Sequence, residues 1–147
     1  YILDQVKKYR LEFVQLHGSE SVKYCQELKE QGIKIIKAFQ IEKGFDFNKT
    51  LPYKKVVDYF LFDTKTSSYG GSGKKFNWDI LEAYDNEIPF FLSGGISLED
   101  TNTIKNDLVL KKLNIIALDI NSCFETLPAV KNTSMVSNFI KKMNNEI

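Results

Sequence analysis

Apolar and polar positions alternate between two periods along this chain. Ile2, Leu3 and Val6 recur at helical spacing with Asp4, Lys7 and Lys8 turned outward, which predicts a helix over residues 1–9. Glu12-Phe13-Val14-Gln15-Leu16-His17 is a short strand-like run closed by Gly18. Ser19-Glu20-Ser21 opens a helix whose Val22, Cys25 and Leu28 recur at about one turn, ending near Gly32. An Ile-rich second strand covers 34–39. The stretch 43–57, interrupted by Gly44 and Pro52, reads as a loop with a short helix.

The alternation continues in the second half. Residues 59–63 form the third strand, followed by the glycine-rich loop Ser68-Tyr69-Gly70-Gly71-Ser72-Gly73. Asn77 caps a helix beginning at Trp78. Residues 89–93 are the fourth strand, closed by Gly94-Gly95, and Ser97-Leu98-Glu99-Asp100 caps a helix expected to run to about Leu113. Residues 114–120 are the fifth strand, and a terminal helix covers roughly 132–145.

Continuous apolar strands joined by helices predict an α/β fold, a parallel sheet covered by helices. Two architectures fit: an open doubly wound sheet, or part of an eight-stranded (β/α)8 barrel. Length favours the open sheet, because a whole barrel usually needs at least ~200 residues. The polar positions favour the barrel. His17, Asp63, Ser93 and Asp119 all fall at carboxyl ends of strands, where parallel α/β folds build their sites.

Composition narrows the function classes. The 147 residues carry 20 Lys+Arg against 19 Asp+Glu, a net charge of +1 that lacks the basic excess of a nucleic-acid footprint. No apolar run approaches the roughly 20 residues needed to span a bilayer, so membrane insertion is excluded. Two cysteines, Cys25 and Cys123, make neither a disulfide framework nor a metal-ligand spacing, and His17 is the one histidine. A reducing, cytoplasmic setting is expected. The chain opens on Tyr1 in mid-pattern, as a piece of something longer would.

The strand ends suggest chemistry. The loop around Gly70, Gly71 and Gly73 lacks the spacing of a Walker A or dinucleotide fingerprint, and reads either as a mobile turn or as a substrate lid. Ser93-Gly94-Gly95 runs straight into a helix start, so its bare N–H groups suit a phosphate. Asp119-Ile120-Asn121-Ser122 could add donors to the same anion. Asp63 ends an apolar run under the glycine loop, where partial desolvation would raise its pKa and suit it to acid–base work. It could equally close an Asx-type turn with Thr64.

These residues resemble a known family. Gln15-Leu16-His17-Gly18-Ser19-Glu20 is similar to that family's Gln-Leu-His-Gly-x-Glu. Phe62-Asp63-Thr64-Lys65, Gly70-Gly71-Ser72-Gly73 and Phe76-Asn77-Trp78 resemble its Leu-Asp-x-x, Gly-Gly-Ser/Thr-Gly and Phe-Asp-Trp series. Leu92-Ser93-Gly94-Gly95-Ile96 resembles its Leu-Ser/Ala-Gly-Gly-Leu. The family is phosphoribosylanthranilate isomerase of tryptophan biosynthesis, and the resemblance covers essentially the whole chain. It implies a (β/α)8 barrel performing an Amadori rearrangement of a phosphoribosyl substrate, without metal or organic cofactor. Asp63 would be the general acid, Gly94, Gly95, Asn121 and Ser122 would hold the phosphate, and the Gly70, Gly71 and Gly73 loop would close over the substrate. His17 would lie on the pocket rim with no chemical role.

The same resemblance implies a partial barrel: the last five parallel strands with their helices. The family's general base is a cysteine in a Lys-x-Cys-Gly motif that these 147 residues do not contain, and neither Cys25 nor Cys123 matches it. These residues alone are therefore expected to be inactive and to need a missing amino-terminal barrel segment as partner. Two departures stand out. Cys123 replaces a glycine in Asp119-Ile120-Asn121-Ser122-Cys123-Phe124-Glu125, and Ala129 replaces another in Pro128-Ala129-Val130-Lys131-Asn132. The rival readings are a different phosphosugar barrel enzyme and a non-catalytic flavodoxin-like module with strand order 2-1-3-4-5.

Overall fold

The computed structural model describes residues 1–64 and 75–145. Helix α1 (Ile2–Tyr9) ends on Arg10 in the left-handed region, φ 53°. Ser21 is the residue that starts α2 (Val22–Glu30), its hydroxyl accepting the Tyr24 N–H at 3.1 Å. Asn132 does the same for Met135 at the head of the terminal helix, Thr133–Asn144.

Five strands lie between these ends: β1 (Phe13–Leu16), β2 (Lys34–Ile41), β3 (Tyr59–Thr64), β4 (Phe90–Leu92) and β5 (Ile115–Leu118). All four pairings are parallel, and the order is β1-β2-β3-β4-β5. Five sequential neighbours are not the 2-1-3-4-5 order of a flavodoxin-like module, so that reading falls.

Register assigns each strand residue to a face. Leu16, Lys37, Phe60 and Phe90 stand side by side, as do Phe39, Phe62 and Leu92 one step on. This face carries the core. Phe60, Phe62, Phe90 and Leu92 are fully buried, and with them are buried Cys25 and Leu28 of α2, Phe47, Leu81 and Tyr84 of the connecting turns, and Phe139 of the terminal helix. Edge-to-face rings tie it together, with Phe62 5.0 Å from Tyr84 and 5.5 Å from Phe47. The opposite face carries Phe13, Gln15, Ile36, Tyr59, Asp63, Phe91 and Ala117. Most of it is only partly buried. Phe13, Tyr59 and Phe91 form a file of rings with centroids 5.9 and 5.7 Å apart.

Three connections differ from expectation. Asn77 does cap a helix, but a 3-10 helix, Trp78–Ala83. The helix expected to run to Leu113 breaks into a 3-10 turn, Leu98–Asp100, α3 (Thr101–Asn106) and a second 3-10 turn, Leu110–Lys112. Asp107 is the reason: its carboxylate accepts the N–H groups of Val109 and Leu110 at 2.8 and 2.9 Å, in competition with the helical ladder. The hairpin β6 (Glu125–Leu127) and β7 (Val130–Lys131) had no counterpart in the sequence reading. The terminal helix, α4, follows it.

Candidate active site at the carboxyl edge of the sheet

All four polar residues singled out at strand ends lie along one edge of the sheet. Asp63 is the penultimate residue of β3, while His17, Ser93 and Asp119 directly follow β1, β4 and β5. Because Leu92 and Leu118 pair on the core face, Ser93 and Asp119 turn to the same side as Asp63.

Asp63, Ser93 and Asp119 form a connected group. Ser93 is 6% exposed, and its hydroxyl donates to Asp119 Oδ2 at 3.0 Å. Asp63 lies beside Ser93, one residue beyond the Phe62–Leu92 pair of β3 and β4. The Thr64 N–H donates to Asp63 Oδ1 at 2.8 Å, so the Asx-type contact with Thr64 is present as well. Burial raises the Asp63 pKa above the usual carboxylate range, with the Asp119 charge adding to it, although the bonds from Thr64 and Ser93 pull the other way.

The turn after β4 is sterically committed. Gly94 has φ +95°, and a Cβ there would lie 2.2 Å from Thr64 Oγ1 and 2.7 Å from Thr64 N. Gly95 follows at φ 64°. Thr64 Oγ1 in turn accepts the Phe76 N–H at 3.1 Å, which fastens the far side of the glycine loop to the end of β3. Gly70, Gly71 and Gly73 themselves lie outside the described residues. Neither Gly94 nor Gly95 uses its N–H in a backbone hydrogen bond among the described residues.

The turn after β5, which carries Asn121 and Ser122, touches the turn after β4 through Cys123. Cys123 Sγ donates to Gly95 O at 3.6 Å, joining the turn after β5 to the turn after β4. Cys123 sits in a 3-10 turn, Ser122–Phe124, and its φ is not positive, so this turn has no need of the glycine it replaces. Ala129 is different: it has φ 65° and follows Pro128 in the hairpin turn, a position that favours glycine. Lys131 Nζ bonds both Asn121 Oδ1 and Glu125 Oε1, holding the Asn121 amide by its oxygen and leaving its NH2 to donate elsewhere.

His17 is exposed, at the end of β1 and two strands from Asp63. The group beneath it escaped the sequence reading. Lys37, only 3% exposed, donates to Gly18 O at 2.7 Å and Glu20 Oε2 at 2.9 Å, with Leu16 O at 3.4 Å. Both Glu20 oxygens accept the Gly18 N–H. Burial pushes the Glu20 carboxyl up, but the hydrogen bond and charge of Lys37 outweigh it and hold it below its ordinary value. A lysine inside the Ile-rich run 34–39 was the available signal. Among the described residues, no group of three or more His, Cys, Asp and Glu side chains could hold a metal. No helix there is long and apolar enough to cross a membrane.

A five-stranded parallel sheet with a desolvated carboxyl and two turns meeting at its carboxyl edge defines an α/β protein with its site at the strand ends. The family model for N-(5'-phosphoribosyl)anthranilate isomerase matches residues 1–142, and the chain belongs to that family. The chain is 43% identical to the N-(5'-phosphoribosyl)anthranilate isomerase of Parabacteroides distasonis, over 97% of this chain and 63% of that one. It is 42% identical to that of Phocaeicola vulgatus, over 99% of this chain and 70% of the relative. Among solved structures, phosphoribosyl anthranilate isomerase from Thermotoga maritima superposes with a TM-score of 0.80 at 32% identity, over 98% of this chain and 67% of that one. The chain thus spans about two-thirds of the length of the relatives it matches.

Proposed function

We propose that the protein catalyses the Amadori rearrangement of N-(5-phosphoribosyl)anthranilate to 1-(2-carboxyphenylamino)-1-deoxyribulose 5-phosphate, a step of tryptophan biosynthesis, in the cytoplasm and without metal or organic cofactor. The carrying observation is Asp63, a half-buried carboxyl with a raised pKa beside the two turns suited to a phosphate. A likeness to phosphoribosylanthranilate isomerase complexed with reduced 1-(o-carboxyphenylamino)-1-deoxyribulose 5-phosphate, TM-score 0.76 at 27% identity, supports the substrate class.

In this reading Asp63 gives a proton to the ribose ring oxygen as the ring C–O bond breaks and the nitrogen lone pair forms an imine. The N–H groups of Gly94 and Gly95 and the Asn121–Ser122 turn hold the phosphate, and the Gly70, Gly71 and Gly73 loop covers the sugar. His17 lies on the rim. Removing the proton from C2 then needs a base. Cys25 does not serve: it is fully buried on the core face, where burial pushes its thiol up. Cys123 is engaged with Gly95 O. The base belongs to a segment beyond these residues that continues the sheet into a barrel, with the face carrying Phe13, Tyr59 and Phe91 turned inward. Residues 1–147 alone are then inactive.

Replacing Asp63 with Asn in the complete protein tests the reading. Turnover should fall about 10²–10⁴-fold, as loss of a general acid does, with substrate affinity nearly kept. Unchanged turnover would transfer the chain to another phosphosugar reaction.

A further inference from the structure

We propose that Lys75 is a positioning residue for the substrate's phosphate: paired with Asp100, it fixes the turn 94–97 and cancels the charge of the carboxylate that caps it. The inference rests on that turn binding the phosphate. It starts from a buried acid bonded to the last residue of the turn. Asp100 is 6% exposed, and both oxygens of its carboxylate are occupied. Oδ2 accepts the Ser97 N–H at 2.7 Å and the Ser97 O–H at 2.9 Å, which closes the turn that begins at Gly94. Oδ1 accepts from Lys75 Nζ, its ion-pair partner.

The backbone beside Lys75 is tied to the other end of the same turn. Phe76 donates its N–H to Thr64 Oγ1 at 3.1 Å, and Thr64 is the residue against which Gly94 packs with no room for a Cβ. Two adjacent residues therefore grip the turn at both ends, Phe76 through Thr64 beside Gly94 and Lys75 through Asp100 beside Ser97. The Lys75 ammonium also lies 6.0 Å from the ring centroid of the buried Trp78, a second attraction that keeps it in place. Charge matters as much as geometry. A carboxylate bonded to Ser97 repels a phosphate held by the same turn, and a buried charge is poorly screened by salt. Pairing with Lys75 keeps the cap and removes the repulsion. Burial opposes ionisation of Asp100, yet the bonds from Lys75 and Ser97 hold its carboxyl below the ordinary range.

The test is a double-mutant cycle in the complete protein, with Lys75→Met, Asp100→Asn and the pair, and Lys75→Arg as the conservative variant. It is read by KM, by kcat and by inorganic phosphate as a competitive inhibitor. The Lys75 side chain is 41% exposed, so the fold tolerates its replacement. Lys75→Met should raise KM and the phosphate inhibition constant about tenfold, as loss of one charge-assisted hydrogen bond does, while kcat moves less than about twofold. Lys75→Arg, which keeps the cation, should restore the parent values. Asp100→Asn keeps an acceptor for Ser97 and carries no charge, so adding it to Lys75→Met should recover most of the lost phosphate affinity. A lysine acting directly on the phosphate gives no such recovery, and equal Lys75→Met losses with and without Asp100→Asn would overturn the inference. So would a Lys75→Met protein of lowered thermal stability whose KM and phosphate constant stay within about twofold of the parent. Failure of inorganic phosphate to compete in the unsubstituted protein would instead bring down the phosphate turn itself.

Discussion

Two charged groups sit along the same edge of this sheet and are built in opposite ways. Beyond the end of β1, Glu20 is paired at 2.9 Å with Lys37, which reaches across from the middle of β2 and satisfies carbonyls at the end of β1 and in the loop after it. At the ends of β3, β4 and β5, Asp63 has no cationic partner among the described residues: it accepts the Thr64 N–H, and the neighbouring Asp119 carboxylate accepts the Ser93 hydroxyl. The first arrangement holds its carboxyl below the ordinary range, and the second holds Asp63 above it. Charges that serve stability are neutralised by partners. Charges that serve chemistry are kept in an environment that resists ionisation. Under the proposed function, the two ends of the edge serve different tasks.

Removing Lys37 should give the largest stability loss. Lys37→Ala leaves Glu20 and two carbonyls without their cation, at a cost of about 2–3 kcal/mol by denaturant unfolding; a fully buried pair would cost more. A loss below about 0.5 kcal/mol would reduce the clamp to an ordinary surface pair. Gly94→Ala should come close behind, at roughly 2–3 kcal/mol, because a Cβ would overlap Thr64 and take up a left-handed φ. This change should also disturb turnover, since Thr64 anchors both Asp63 and Phe76.

Acid sharpens the contrast because the two groups respond with opposite sign. The folded pKa of Glu20 is depressed, so its contribution is present above its unfolded value of 4.5 and is lost as pH falls through the lower folded value. The folded pKa of Asp63 is raised from 3.8, so ionising it costs stability as pH rises from that value through the folded one. Asp63→Asn should therefore cost no stability at neutral pH and should flatten the pH dependence just above 3.8. Glu20→Gln should flatten it below 4.5. Thermal unfolding between pH 3 and pH 7 checks both, and equal behaviour of the two variants would erase the distinction. The smallest effect lies outside both groups: Ala129→Gly should stabilise by about 0.5–1 kcal/mol, by relieving the positive φ of the hairpin turn.

Much of this layout was legible beforehand. The period-2 and period-3.6 runs located all five strands and the helices that begin at Ile2, Val22 and Thr133, because each turns an apolar side to the core; the latter two helices also carry their own caps, Ser21 and Asn132. Asp63, Gly94, Gly95, Asn121 and Ser122 stood out because glycines and polar residues interrupt apolar runs at strand ends. The breaks at Asp107 and in Trp78–Ala83 were not legible. A side chain that competes with the backbone ladder leaves no trace in the hydrophobic period. The β6–β7 hairpin escaped for a related reason, since two- and three-residue strands are too short to show a period.

By itself, the sequence determined the family, the α/β class and which residues stand at the carboxyl ends of strands, because each of these follows from local pattern and motif. Tertiary structure alone decided the order of the sheet, the burial of Lys37 against Glu20, and the meeting of Asp63 with Ser93 and Asp119. Those three residues are separated by 30 and 26 positions in the chain, and no local preference specifies such a contact. Only the parallel register of β3, β4 and β5 carries them to one edge and turns them to one face.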